Sequence, residues 1–230
     1  MHTYSSNDLD NFRIQHQAEE AFEQGIIGEK SLNAIKQQHD YSFYRAGIFV
    51  RIALALLAVV CIVFAALLLF LLMRDTDNFS VLFLVMLIAC YGLLEFLVKT
   101  KKYYNAGIDN TLQVFTILFF AGLFFNGEYA YQDIIITIAV LVAAVWLCIR
   151  FTDAFMSLVA FCAFFVLIFL FVQHNGNVLY MPFILMLASA IIYLLQYSLQ
   201  TKQQFHFYEK SFSMLRIAAL ISFTLPAMFI

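Results

Sequence analysis

Apolar residues along this chain come in long runs divided by short polar breaks. The clearest run is Ile52 to Met73, twenty-two residues without a charge, amide, hydroxyl, Gly or Pro. As a helix rising about 1.5 Å per residue it is roughly 33 Å long, enough to cross a hydrocarbon core of about 30 Å. Taking the other runs the same way predicts spans near 47–73, 79–98, 108–125, 134–149, 154–172, 179–199 and 213–230. The third is short unless its helix begins back at Ile108, and Pro182 suits the first turn of the sixth. Polar loops fall at Arg74 to Asn78, Lys99 to Asn110, Asn126 to Asp133, Arg150 to Asp153, Gln173 to Asn177 and Gln200 to Phe212.

Residues 1–46 read differently. Ser5 to Asp8 offer capping side chains, and Leu9, Phe12, Ala18, Ala21 and Phe22 recur at helical spacing. Gly25 is a natural stop. Glu29 to about Tyr41 then predicts a second helix, with Leu32 and Ile35 on one face. Two such helices bury too little apolar area to be stable alone. They are expected to pack on each other and on the membrane domain, a partner or a second copy. Tyr41, Phe43 and Tyr44 with Arg45 mark the headgroup level, where aromatic and basic residues anchor spans.

Composition removes the soluble alternatives. The chain is 63% hydrophobic and 12% charged, against roughly 45–50% and 25% in soluble domains. Strands of a closed barrel would alternate apolar and polar residues, and these runs do not. The fold class expected is therefore all-α: a polytopic transmembrane bundle of about seven spans (47–230) behind a helical hairpin (1–46). The first run starts too late and is too long for a cleaved leader. Net charge of −2 suggests no nucleic-acid partner. Cys61, Cys90, Cys148 and Cys162 all lie inside apolar runs, with no CxxC pair, and read as packing or lipid-facing residues.

Loop charges set the orientation. With the N-terminus cytoplasmic, that side carries twelve of the 13 basic residues, and Arg74 alone falls opposite. The intervening loops are short, the regime in which the positive-inside rule operates. The chain ends in an apolar segment without a polar tail, which suggests a longer parent chain. An offset of 101 residues supports that suggestion. It aligns Leu93-Leu94-Glu95-Phe96 with Leu194-Leu195-Gln196-Tyr197, and Cys61 with Cys162. Spans one and two would then correspond to five and six, unless Leu and Phe runs align by chance.

Ionisable residues within or beside spans are the candidate chemistry, because burying an unpaired charge in lipid is expensive. Arg51 and Glu95 lie about one turn inside the cytoplasmic ends of spans one and two. Both can snorkel, Glu95 has Lys99 at i+4, and an Arg51–Glu95 pair is geometrically open. Asp109, Arg150, Asp153 and Arg216 are expected at the same level. If these six converge on a cavity they form a site; if they face headgroups separately, there is none. Gly107 suits a positive φ, with Asp109 or Asn110 capping span three. His174 and His206 have no partner at ligand spacing, so no metal site is expected. No Ser-His-Asp set, HExxH, P-loop or dinucleotide fingerprint occurs, so neither an enzyme nor a cofactor is expected.

The segment Ala21-Phe-Glu-Gln-Gly-Ile-Ile-Gly-Glu-Lys-Ser-Leu-Asn-Ala-Ile35 resembles the hairpin that precedes the spans in families of bacterial multi-spanning membrane proteins of unknown function. Their pattern is G-I-[ST]-x-E-x-x-x-x-I, and Gly28 stands here in place of the Ser or Thr that would cap the second helix. The resemblance implies a bacterial inner membrane and lends no activity. Two functional classes are expected. One is a transporter or permease-like module for a small solute or proton. The other is a non-transporting scaffold whose residues 9–35 dock a protein partner or a second copy.

Overall fold

The computed structural model describes residues 6–40, 47–73, 79–101, 106–125, 131–176, 180–200 and 208–227. Expectations for the aromatic belt at 41–46, the loop at 74–78, His206 and the last three residues lie outside the described residues. Among the described residues the fold is all-helical, with no strand: α1 (Ser6–Glu23), α2 (Glu29–Gln38), α3 (Ile48–Leu72), α4 (Phe79–Lys101), α5 (Ile108–Gly122), α6 (Gln132–Phe151), α7 (Ala154–His174), α8 (Met181–Gln200) and α9 (Glu209–Ala227). Five are long and apolar enough to cross a membrane: α3, α4, α6, α7 and α8. The fifteen residues of α5 make a helix of only about 22 Å.

α1 ends where glycine lets it. Gly25 has φ +73°, and the Ile26 N–H donates back to the Ala21 carbonyl at 2.8 Å. This bond closes a C-terminal cap of the Schellman kind. α2 starts at Gly28, whose missing side chain leaves the cap to backbone alone. The two helices pair antiparallel. Gln15 donates to the carbonyls of Lys36 and His39, Asn11 donates to that of Asp40, and Glu19 meets Lys36 at 2.7 Å. Phe12 leaves this pair and joins the buried cluster of the apolar helices, under the ammonium of Lys210. α1 is thereby seated on the base of the larger domain.

Chain order and packing order differ in that domain. α3 and α4 touch each other little, and each packs more heavily on α5. α7 and α8 likewise touch little and pack on α9, while α6 joins α5 to α7. α4 contributes Leu82, Met86, Cys90, Leu94 and Val98, a four-residue spacing that keeps one seam buried. Near the start of α4 the seam closes on Gly122, where a β-carbon would stand 2.8 Å from the Phe83 ring. Close approach of this kind matters in lipid, where packing and hydrogen bonds rather than water exclusion hold helices together. α3 and α8 are covered least, and α3 presents Leu, Val and Phe side chains around most of its circumference, a surface suited to acyl chains.

Candidate functional site

The α6–α7 elbow positions the base of the bundle. Only Thr152 and Asp153 separate the helices, and the chain reverses because Thr152 adopts φ +51°. A β-branched residue in that region is strained. Asp153 then caps α7, its Oδ1 accepting from the Phe155 N–H at 3.0 Å. The elbow thus holds Arg150 and Asp153 on the same end of the bundle from two different helices.

Glu95 is the centre of one cluster. Its carboxylate meets Lys99 Nζ at 2.7 Å and Arg150 Nη2 at 2.5 Å. Glu95 and Arg150 are each a quarter exposed. Lys99 is the i+4 partner the sequence offers, whereas Arg150 comes from fifty-five residues away. Arg51 belongs elsewhere. Its backbone lies against Gly107, so closely that a β-carbon there would overlap the Arg51 carbonyl oxygen and stand 3.0 Å from its carbonyl carbon. Gly107 has φ +94°, and its N–H donates to Asp109 Oδ1 at 2.9 Å.

The second cluster comprises Arg51, Asp109 and Asp153. Burial pushes the Asp153 carboxyl above its ordinary value. The Phe155 N–H opposes that rise, the negative charge of Asp109 adds to it, and Arg51 offsets part. Two of the six candidates therefore meet in an ion pair, and two more, Asp109 and Arg51, act on the Asp153 carboxyl at the elbow. Arg216 stands apart: it is exposed on α9 and has no ion pair or hydrogen bond to a described residue.

The inner face of α5 joins one candidate, Asp109, to two residues outside the candidate set. Asp109, Gln113 and Thr116 follow one another at i, i+4 and i+7 and are 2%, 2% and 5% exposed. Thr116 donates to the Leu112 carbonyl at 2.7 Å, and Gln113 Oε1 is buried with no hydrogen-bond donor. Their spacing is the sequence signal: three polar residues at helical period in an apolar run. α8 has two comparable residues: Ser189 donates to the Ala219 carbonyl at 3.2 Å, and the Gln196 amide is buried with neither polar atom in a hydrogen bond.

Among the described residues, grooves on the outside of the bundle are apolar. One of about 420 Å³ lies among Ile62, Phe70, Phe79, Phe83, Phe115 and Phe119. Another, about 690 Å³, lies among Ile134, Ile138, Leu167, Phe171 and Ile184, with Asn175 at its edge. Neither includes a charged side chain. Among the described residues no three His, Cys, Asp or Glu side chains gather as a metal site requires. His174 packs edge-on against Tyr131, ring centroids 4.8 Å apart. Comparison of the chain with protein-family models, curated proteins and solved structures finds no match.

Proposed function

We propose that the chain is a transport module of a bacterial inner membrane, passing a proton or small polar solute along the inner face of α5. The topology assumed is the seven-span one, α3 to α9, with the N-terminus and the Arg51–Asp109–Asp153 end in the cytoplasm. The observation that carries this reading is Gln113, an amide buried in a membrane helix with an acceptor left open. A buried acceptor without a donor costs about 1–3 kcal/mol. Polar side chains inside membrane bundles characteristically line pathways. Asp109 below it and Thr116 above it extend the same face, and Asp153 with Arg51 supplies a charged mouth.

Proton flux tests it. Vesicles loaded with a pH-sensitive dye and carrying the purified chain should dissipate an imposed pH gradient faster than empty vesicles. Gln113→Leu and Asp109→Asn should each remove most of that excess. Wild-type vesicles that match empty ones for protons and for small polar solutes would sink the reading.

A scaffold is the second reading, and the seating of α1 favours it. Phe12 fixes α1 to the bundle while Phe22 and Ile26, at the turn toward α2, stay 41% and 70% exposed. On this reading residues 9–35 present that turn to a protein partner or a second copy. A binding defect in Ile26→Asp with unchanged vesicle flux would favour it.

A further inference from the structure

Among the described residues of α1 and α2, Phe12 alone joins the buried cluster of the apolar helices. Lys210 Nζ stands 5.4 Å from its ring centroid, and His16 packs edge-on against it from within α1. Lys210 lies at the start of α9, between two bonds to the base of the bundle. Tyr208 Oη donates to the Ile149 carbonyl at 2.9 Å, and Ser157 Oγ donates to the Ser211 carbonyl at 3.5 Å. Ile149 is near the end of α6, and Ser157 is in the first turn of α7. Phe12 is therefore seated beside the α6–α7 elbow, the segment that carries Asp153.

The base behind Phe12 is closed. Asp109 and Thr152 stand at the ends of their helices, within reach of the aqueous side, yet both are buried. The hairpin is a separate piece. Gln15 and Asn11 donate to carbonyls at or just past the end of α2, and Glu19 pairs with Lys36. α1 accordingly packs chiefly on α2 and only lightly on the bundle. Elements with so few buried apolar contacts to the rest of a fold open without global unfolding. Lys210 is exposed, so its contact with the ring can break without leaving a buried charge.

We propose that the α1–α2 hairpin is a lid on the mouth of the α5 path, latched by Phe12 and Lys210. Seated, it keeps water from Asp109 and Asp153. Lifted, it admits a proton or small polar solute to the face of Asp109, Gln113 and Thr116. The lid rests on the transport reading.

The test uses the full chain in phosphatidylcholine vesicles, read by hydrogen–deuterium exchange and by proton flux. Phe12→Ser should raise amide exchange across 107–111 and 151–157 about tenfold, and flux by a similar factor. Residues 82–98, the buried seam of α4, should exchange as before. Lys210→Gln should give a smaller rise in both readings, and Phe12→Leu, which keeps an apolar anchor, should match the parent. Faster exchange in α1 and α2 over an unchanged base would overturn the proposal, because the base would then be closed without the hairpin. So would an opened base with no gain in flux over a parent that passes protons. Faster exchange across 82–98 as well would mean global loosening. Lys210→Gln, which spares the ring, then decides, and an unchanged base in that variant overturns the lid. Parent and variants that all match empty vesicles would sink the transport reading instead, while the exchange pattern still judges whether the hairpin closes the base.

Discussion

The backbone carbonyl of Arg51 occupies the space that a side chain at Gly107 would need. α3 and α5 touch there, and the contact also holds Arg51 beside the Asp109 turn. Gly107→Ala must adopt φ +94° as an L-residue and push α3 away. Left-handed strain of about 1–2 kcal/mol and overpacking of about 1–3 kcal/mol both oppose it. Thermal unfolding in detergent should fall by the equivalent of about 2–5 kcal/mol. Gly92→Ala is the control, since a β-carbon there meets nothing within 4 Å. It should gain about 0.5–1 kcal/mol from helix propensity. Equal losses at the two glycines would refute the contact account.

Glu95 and Arg150 tie α4 to α6 across a partly exposed base. Such a pair sits between the exposed regime, about 0–1 kcal/mol, and the buried one, about 3–5 kcal/mol for loss of a partner. A double-mutant cycle of Glu95→Gln and Arg150→Gln should give a coupling on the order of 1 kcal/mol. Lys99 remains to hold Glu95 when Arg150 is lost, so Arg150→Gln should be the milder single change. Strict additivity of the two would show that the bond contributes nothing to stability.

Asp153 makes stability pH-dependent with a definite sign. Its folded-state pKa lies above the ordinary 3.8, so the folded protein holds this proton more tightly than the unfolded chain. The stabilising share is complete below 3.8 and is lost as pH rises from there through the raised value. Asp153→Asn keeps a capping side chain and cannot ionise. Unfolding curves recorded from pH 3 upward should show less decline on the alkaline side in the variant than in the parent. An identical slope in both would mean that Asp153 titrates normally.

Local rules explain what the sequence made legible. The Ile52–Met73 run, the Glu95–Lys99 pair, the positive φ of Gly107 and the uncapped start at Gly28 all depend on residues within one or two turns. Arg150 meeting Glu95 depends on which helices become neighbours, and hydropathy carries no information about that. The same gap hides Phe12, which looks like one face of an amphipathic α1 yet ends in the buried cluster of the spans. The α5 face was visible as spacing. Its meaning came from burial, because Gln113 at a loop would meet water and need no partner in the protein.

The order of packing bears on how the chain is made. Of the apolar helices α3 and α4 leave the ribosome first, yet neither finds its main partner in the other. Both must wait in the bilayer, with the Leu82–Val98 seam against acyl chains, until α5 arrives. α5 is the shortest of the apolar helices and carries Asp109, Gln113 and Thr116, so it enters lipid least readily on its own. Synthesis thus pairs two willing helices with a reluctant third that completes them. A ribosome stalled between α4 and α5 would expose an intermediate with its interior facing lipid, the state most open to capture by a membrane chaperone or protease.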